Sequence, residues 1–293
     1  MIKKGIILAG GLGTRMSPIT KSINKQLLPI YDKPLIYYPL SILMLAGIKE
    51  ILIIVNKGST GQFRKILLNG ENFGIKISYA EQDKPRGLPD AFKIGKKFIG
   101  NDNISLILGD NFFYGQSLSE KLKKSSKLKK GATIFVYPVK NPNRFGVATF
   151  KGNKIINLIE KPKKTESNLA VTGLYFFDNS VVKKTLNLKK SKRNEFEIID
   201  LLNMYKKSNL LKAEHLGRGA AWLDAGTIDD FNQTSIFVSS IEKRQGLKIA
   251  CLEEIAFMNK WIDKKKLVRA ISFYGNCDYS KYLKSLISFI YKF

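Results

Sequence analysis

Short apolar runs alternate with longer, helix-like stretches over the first half of the chain. The apolar runs, which are rich in β-branched residues, lie at residues 6–8, 51–55, 75–80, 104–108 and 132–139. Continuous apolar runs of this length are typical of parallel strands that are buried on both faces. Between the first two runs, residues 39–47 predict an amphipathic helix. The pattern therefore predicts an α/β fold with a mostly parallel central sheet between layers of helices.

The pattern changes after residue 146. Shorter strand-like runs, separated by turns, predict a mixed extension of the sheet at residues 147–150, 154–159 and 174–177. Helices are expected over 196–205, with Asn194 as the N-cap, and over 229–245. Three further helix-like stretches, at 253–261, 264–271 and 279–291, predict a small C-terminal helical appendage. We therefore divide the chain into a large unit, 1–240, and a C-terminal helical segment, 241–293.

Composition excludes several classes of protein. The chain has 293 residues, of which 44% are hydrophobic, and no stretch is apolar for long enough to span a bilayer. An N-terminal apolar run is interrupted by glycines and Arg15 too early for a signal peptide. Cys251 and Cys277 lie far apart without a CxxC motif, which predicts neither a zinc site nor a disulfide and favours the cytoplasm. The single histidine, His215, is predicted to be structural.

The net charge is extreme, because 50 lysines and arginines face 24 acids and give +26. A nucleic-acid-binding protein is one interpretation of such a charge. The other is a lysine-rich solvated surface that also favours anionic substrates. The lysines are scattered and do not mark one helix face with interleaved aromatic residues, so we favour the second interpretation and keep the first as a remote alternative.

A glycine-rich loop follows the first predicted strand, with the sequence Leu-Ala-Gly-Gly-Leu-Gly-Thr-Arg at 8–15. Glycines let backbone N–H groups approach a polyphosphate closely, and Arg15 adds a bidentate phosphate donor. The loop is not a Walker A motif, because no Gly-Lys-Ser/Thr follows. Met16 occupies the third-glycine position of a dinucleotide fingerprint, and Asn56 rather than an acid ends the second strand. An NAD-dependent oxidoreductase is therefore disfavoured, although a tight turn would explain the loop equally well.

Two acids are candidate metal ligands. Asp110 follows Gly109 at the end of an apolar strand, and open α/β sheets bind ligands at that edge. Mg²⁺ prefers one or two carboxylates together with phosphate oxygens, and Asp224, flanked by small residues, offers the second. Lys25 would add a cation near the polyphosphate. Glu160 and Lys161 offer an acid for sugar hydroxyls and a cation for a sugar phosphate.

Together these motifs resemble the sugar nucleotidyltransferase family over nearly the whole chain. The matching segments, in family order, are GIILAGGLGTRMSPIT, KQLLPIYDKPLIYYPLSILMLAGI, LGDNFFYG, EKP, VTGLYFFDNSVV, GRGAAWLDAGT and IEKRQGLKIACLEEIAF. The resemblance implies a Rossmann-like three-layer fold with a mixed-strand sugar-binding extension, in which 1–240 is the catalytic domain and 241–293 makes oligomer or regulatory contacts. It implies Mg²⁺-dependent transfer of a nucleotidyl group from dTTP to glucose 1-phosphate, which gives dTDP-glucose, a precursor of dTDP-L-rhamnose. UTP is the alternative nucleotide, and a homotetramer is expected.

The resemblance also assigns roles to individual residues. The expected catalytic residues are Arg15, Lys25, Asp110, Lys161 and Asp224, with Asp110 and Asp224 as the metal ligands. The expected nucleotide-binding residues are Leu8, Gly10, Gly11, Gly13, Thr14, Arg15, Lys25, Gln26, Gln82 and Gly87. The expected sugar-phosphate-binding residues are Asn111, Gly146, Glu160, Lys161, Val171, Tyr175 and Arg193. Departures from the family pattern, which bear on nucleotide preference, hexose and feedback control, occur at Pro89, Asp90, Gln116, Asn194, Ile199 and Ala225.

Overall fold

The computed structural model describes residues 1–288. The strands are β1 (Lys4–Ala9), β2 (Pro29–Ile30), β3 (Lys33–Pro34), β4 (Glu50–Asn56), β5 (Lys76–Gln82), β6 (Ile104–Leu108), β7 (Asn111–Gly115), β8 (Ala132–Pro138), β9 (Gly146–Lys151), β10 (Lys154–Glu160), β11 (Leu169–Phe177), β12 (Leu211–His215) and β13 (Ala220–Asp224). The α-helices are α1 (Tyr37–Leu45), α2 (Thr60–Leu67), α3 (Asp90–Ile94), α4 (Lys96–Ile99), α5 (Leu118–Ser125), α6 (Ser180–Leu186), α7 (Ile198–Lys207), α8 (Ile228–Gln245), α9 (Leu252–Met258), α10 (Lys264–Tyr274) and α11 (Asp278–Ser288).

The central sheet has the strand order β10-β9-β11-β6-β1-β4-β5, and β8 pairs with both β11 and β12. The strands β6, β1, β4 and β5 are parallel neighbours. β11 runs antiparallel to β6, β8 and β9, and β10 runs antiparallel to β9. Because β12 is parallel to β8, only β10 and β11 run against the other seven of these nine described strands. The prediction of a mostly parallel α/β sheet is confirmed.

Two hydrophobic cores cover the two faces of this sheet. Successive residues of a strand point to opposite faces. Accordingly, Ile6, Leu52 and Leu106 belong to one core, which helices α3, α6 and α7 complete. Their neighbours along the same three strands belong to the other core, which α1, α2 and α5 complete. The three layers therefore follow from strands that are apolar on both faces.

Phe177, at the end of β11, lies at the centre of the first core and is fully buried. Its ring centroid lies 5.3 Å from that of Phe92 and 5.6 Å from that of Tyr205. We expect Phe177→Ala to lower the free energy of unfolding by about 3–5 kcal/mol, since the lost contacts leave a cavity. Urea denaturation measures the change. Phe273→Ala, at a ring that is 70% exposed, is the control and should stay within about 0.5 kcal/mol of the parent; similar losses in both variants would contradict the prediction.

Two predicted helices differ from the observed ones. The helix expected to be amphipathic over 39–47 is α1. Its residues Tyr37 to Met44 are all buried, because the helix packs against α9, β7 and α5. The helix expected from residue 196 begins at Ile198 and has Glu197 rather than Asn194 as its N-cap. Asn194 instead adopts a left-handed conformation with φ of 61°. The residues before α7 form a loop, in which Ser191 and Arg193 donate hydrogen bonds to Glu197.

The pair β7–β13 and the C-terminal helices complete the fold. β13 pairs antiparallel with β7 outside the central sheet, and neither strand is evident in the sequence pattern. Helices α10 and α11 pack around a separate apolar cluster. The division at 240/241, which falls inside α8, stays a prediction, and residues 289–293 of the C-terminal segment lie outside the described residues. Among residues 1–288, no helix is long and apolar enough to cross a membrane.

Candidate active site

A cleft of about 350 Å³ lies at the carboxyl ends of β1 and β6. Of the predicted site residues, those that line it are Leu8, Gly10, Arg15, Gln82, Gly87, Asp110, Asn111, Gly146, Glu160, Lys161, Val171, Tyr175, Arg193 and Asp224. The predicted residues that do not line it are Gly11, Gly13, Thr14, Lys25 and Gln26. The chain thus brings most of the predicted residues to one edge of the sheet. Their individual roles stay predictions.

The glycine loop is anchored to the end of β4. Gly11 N–H donates to Asn56 Oδ1 over 2.8 Å, and Asn56 Nδ2 donates back to the Gly11 carbonyl over 2.8 Å. Gly11 and Gly13 have φ angles of 127° and 60°, which favour glycine. At Gly10, a Cβ atom would lie 1.8 Å from Gln82 Nε2. The glycines are therefore required both by the turn and by the close approach of Gln82, the predicted nucleoside contact.

Lys25 and Gln26 lie behind the cleft. The side chain of Asn24 caps the short 3-10 turn Lys25–Leu27. This turn directs Lys25 Nζ to Asp110 Oδ2 at 2.5 Å, and the Lys25 side chain is only 10% exposed. Gln26 is buried, and a Cβ atom at Gly109 would lie 3.1 Å from its Cγ. Lys25 therefore acts on the cleft through Asp110 in this structure.

The β7–β13 pair brings the two candidate metal ligands together. Asp224 lies opposite Asn111, the residue after Asp110, and Ala225 N–H donates to the Asp110 carbonyl over 3.0 Å. Both carboxylates face the same cleft. A Cβ atom at Gly226 would lie 3.2 Å from both Asp224 Oδ2 and Arg15 Nη2, so the absence of a side chain there leaves room for the guanidinium.

The two carboxyl groups are electrostatically different. Burial raises the pKa of Asp110, but the charge and hydrogen bond of Lys25, together with the hydrogen bond from Asn111, outweigh burial and hold the pKa below its usual value. The pKa of Asp224 is raised to about 6, first by burial and then by the neighbouring Asp110, although Lys25 and Arg15 oppose the shift. Among residues 1–288, no group donates a hydrogen bond to the Asp224 carboxylate. The two acids border the same cleft, and the Asp224 carboxylate accepts no hydrogen bond from the described residues. The site therefore favours binding of a further positive charge.

The two acids offer carboxylate oxygens, which are ligands for hard divalent cations such as Mg²⁺. No cluster of three or more His, Cys, Asp or Glu residues is present in the described part of the chain. Two carboxylates beside an open cleft match the preference of Mg²⁺ for few protein ligands and several phosphate or water oxygens. The donor chemistry of Asp110 and Asp224 therefore fits a hard divalent cation.

Asn111, predicted as a sugar ligand, is almost fully buried and lies at the hub of a hydrogen-bond network. Its Oδ1 accepts from Gly173 N–H over 3.0 Å and from Trp222 Nε1 over 2.7 Å. Its Nδ2 donates to Asp110 Oδ1 over 3.1 Å. In this structure Asn111 therefore orients the Asp110 carboxylate.

Arg193, predicted to bind a phosphate, contacts carboxylates in this structure. Its guanidinium donates to both oxygens of Glu197, over 3.1 and 2.7 Å, and to Glu160 Oε1 over 3.3 Å. Burial and the charge of Glu197 raise the pKa of Glu160, although Lys161 and Arg193 oppose that shift. No described residue accepts a hydrogen bond from Lys161 Nζ, which borders the same part of the cleft. Lys161 is therefore the more accessible cation for a sugar phosphate.

Comparison with known proteins places this cleft in an enzyme family. The family model described as "Nucleotidyl transferase" matches residues 4–240, most of the chain. The chain belongs to the nucleotidyl transferase family. The predicted family and fold are confirmed, and the chain is a nucleotidyltransferase.

Two kinds of enzyme occur among the named relatives of this nucleotidyl transferase, and they differ in the nucleotide that their names specify. A glucose-1-phosphate thymidylyltransferase of Neisseria meningitidis is 51% identical over 285 residues, covering 97% of this chain and 99% of the relative. A solved Bacillus anthracis structure described as a glucose-1-phosphate thymidylyltransferase is 39% identical with a TM-score of 0.75, over 80% of this chain and 94% of that one. A UDP-glucose pyrophosphorylase solved with UDP-glucose is 27% identical with a TM-score of 0.71, over 84% and 100%.

Several residues that line the cleft of this nucleotidyl transferase are absent from the set predicted from sequence. These are Pro85, Leu88, Leu108, Arg144, Phe145, Gly173, Glu195, Phe196, Glu197, Ile198 and Trp222. Trp222 lies two residues before Asp224 on β13, and alternate residues of a strand point to the same face. Its place beside Asp224 could therefore have been predicted from the sequence. Arg144 pairs with Asp230 at 2.7 Å, and only the fold brings these two residues together.

His215 lies outside this cleft, at the end of β12. Its ring centroid is 4.7 Å from that of Phe150. His215 is exposed, and the structural role predicted for the single histidine stays a prediction.

Proposed function

We propose that this chain transfers a thymidylyl group from dTTP to α-D-glucose 1-phosphate, forming dTDP-glucose and pyrophosphate. The observation that carries the reaction type is the meeting of Asp110 and Asp224 beside the glycine loop, with Arg15 and Lys25 next to them. The choice of substrates rests on the name of the relative that is 51% identical over nearly the whole chain. The reaction would supply pathways to deoxysugars such as dTDP-L-rhamnose.

In the proposed mechanism, a phosphate oxygen of the sugar 1-phosphate attacks the α-phosphorus of dTTP in line. A new P–O bond forms as the bond to the bridging oxygen breaks, and pyrophosphate leaves with that electron pair. A phosphate monoester has a second pKa near 6, so the nucleophile is mostly a dianion at neutral pH and needs no general base. The protein's task is to align two anions and to offset their repulsion.

The residues of this chain divide that task. The glycine loop and Arg15 would bind the triphosphate, with Gln82 and Gly87 at the nucleoside. Lys161 would bind the sugar phosphate, and Glu160 the sugar hydroxyls. Lys25 would keep Asp110 ionised, because its cation holds the pKa of that acid down.

Asp110 and Asp224 would hold a divalent cation, which we propose to be Mg²⁺. When bound, such an ion neutralises charge that builds up on the reacting phosphates. Asn111 and Lys25 would fix the orientation of Asp110, whereas the Asp224 carboxylate borders the cleft and accepts no hydrogen bond within residues 1–288.

A UTP-dependent enzyme of the same fold is the second candidate. The likeness to UDP-glucose pyrophosphorylase favours it, but at 27% identity rather than 51%. The nucleotide choice is therefore proposed as dTTP, with UTP less supported. The remote alternative, a basic nucleic-acid-binding protein with steeply salt-dependent DNA binding, is not supported, because the chain belongs to the nucleotidyl transferase family over residues 4–240.

A nucleotide panel tests this proposal. Purified protein with glucose 1-phosphate and Mg²⁺ is given dTTP, UTP, ATP, CTP or GTP, and pyrophosphate release is followed. We expect the highest kcat/KM with dTTP and no release after chelation of the metal. Faster turnover with UTP would replace the thymidylyl assignment, and no release with any nucleotide would contradict the proposed activity. The homotetramer and the cytoplasmic location stay predictions.

A further inference from the structure

The loop that forms the proposed nucleoside pocket is held by contacts with the segment that carries Phe196. Residues 84–88 have no regular secondary structure and contribute Pro85, Gly87 and Leu88 to the cleft. Phe196 N–H donates to the Arg86 carbonyl over 2.8 Å. Among residues 1–288, this is the one backbone hydrogen bond that joins 84–88 to a segment outside 84–92. The position of the loop therefore depends on Phe196.

Gly87 and Phe196 are also in close backbone contact. A Cβ atom at Gly87 would lie 2.1 Å from the Phe196 carbonyl oxygen and 2.8 Å from its nitrogen. Gly87 has a φ of 103°, which glycine adopts readily and other residues rarely do. The two loops therefore pack backbone against backbone, so neither can shift far without the other.

The Phe196 ring strengthens the same junction. Lys93 Nζ, on α3, lies 3.5 Å from the ring centroid, and Lys190 Nζ lies 6.0 Å from it. A lysine ammonium over an aromatic face is attracted by the ring. Since α3 directly follows the nucleoside loop, the ring joins that helix to the segment that carries Lys190.

On its other side, Phe196 continues into the segment that carries Arg193. Within 191–197, Ser191 Oγ donates to Glu197 Oε1 over 2.6 Å, and Arg193 is bound by both oxygens of Glu197. Ser191 N–H also donates to the Glu195 carbonyl over 2.8 Å. Hydrogen bonds therefore hold this segment together, and Arg193 also donates a hydrogen bond to Glu160. A displacement of Phe196 would thus move the sugar-phosphate side of the cleft as well.

We propose that Phe196 is a positioning residue that couples the nucleotide and sugar-phosphate subsites, so that each ligand binds more tightly once the other has fixed the shared junction. This inference rests on the proposed function, because it takes the two walls of the cleft as the two subsites. Coupling between sites is reciprocal, and typical values correspond to changes in affinity of about 5- to 150-fold. Removing the ring should loosen the junction, whereas the backbone hydrogen bond from Phe196 to Arg86 stays in place.

The test measures binding rather than turnover. Calorimetry gives the Kd of thymidine 5′-(α,β-imido)triphosphate, which cannot react, with Mg²⁺ and with or without glucose 1-phosphate. The coupling factor is the Kd measured without glucose 1-phosphate divided by the Kd measured with it. Charge repulsion between the two ligands is the same in every variant, so differences in the ratio report the junction. We expect the ratio to fall by at least about fivefold in Phe196→Ala.

Phe98→Ala is the matched control. Phe98 is also a half-buried phenylalanine under a lysine, with Lys4 Nζ 5.5 Å from the ring centroid, but it lies outside the cleft. Its coupling factor should equal that of the parent. If Phe196→Ala does not fold, Lys93→Met decides, because it removes the cation and keeps the ring; it should lower the factor in the same direction. An unchanged factor in the deciding variant overturns the coupling proposal alone, whereas a parent protein that binds neither ligand overturns the proposed function as well.

Discussion

Asp110→Asn and Asp224→Asn are each expected to lower kcat by roughly 10²–10³-fold or more, because each removes a charge from the proposed metal site. The two acids meet only through the β7–β13 pair, so both variants should fail in the same way although they lie on distant parts of the chain. Pyrophosphate release at saturating dTTP and glucose 1-phosphate measures the loss. Near-normal turnover in both variants would reject the metal assignment.

Asp229→Asn is the matched control for this pair. Asp229 is an exposed acid in the first turn of α8, five residues after Asp224, and it does not line the cleft. The same loss of one negative charge there should leave kcat within about twofold of the parent, since exposed substitutions change little.

The metal-free stability of Asp224→Asn separates folding from catalysis. The folded-state pKa of Asp224 is raised to about 6, above its ordinary 3.8, so the folded protein binds the proton more tightly than the unfolded chain. In EDTA, this group should therefore make the free energy of unfolding fall as the pH rises from about 4 to about 6. Asp224→Asn should lack that fall and be the more stable protein at pH 7. Inactivity together with a higher Tm would show that the carboxylate serves the site at the expense of the fold.

The sequence predicted the central sheet because its strands are apolar on both faces. Ile53 and Leu52 are neighbours on β4 and are buried in different cores. Burial of both faces of the strand therefore explains its continuous apolar run. It did not predict β7 and β13, because Phe112 and Phe113 adjoin polar residues and the pair lies outside the main sheet. The two short strands nevertheless set the distance between the candidate metal ligands.

The candidate site was predictable where a motif needs a particular backbone, and less so where side chains bind one another. Gly10 and Gly11 are detectable, since a turn and a close contact exclude other residues. Glu197 is different, because its role depends on Arg193 and Ser191, which reach it only after the loop before α7 has folded. The same hydrogen bonds explain why α7 begins later than its hydrophobic pattern predicts.

Lys25→Met is the second substitution with a large expected effect. Lys25 is the cation that opposes the effect of burial at Asp110, so its loss should raise the pKa of that acid and weaken any metal bound there. We expect kcat to fall by roughly 10²–10³-fold, as for the loss of other preorganised charged groups. The apparent affinity for Mg²⁺, from the metal dependence of pyrophosphate release, should fall in parallel, because the neutral form of Asp110 binds metal poorly.

The control and the pH dependence distinguish this role from a general charge effect. Lys21→Met removes an exposed lysine four residues away and should leave kcat and the Mg²⁺ dependence unchanged. In the parent, the lowered pKa of Asp110 keeps this acid charged as the pH falls, and the stability from its pairing with Lys25 is lost only below its ordinary pKa of 3.8. In Lys25→Met, the hydrogen bond from Asn111 remains but the cation is lost, so burial should raise that pKa and loss of activity on acidification should begin at a higher pH than in the parent. A variant that kept the parent's acid limb and metal affinity would show that Lys25 does not control Asp110, and the pairing at 2.5 Å would then be incidental to catalysis.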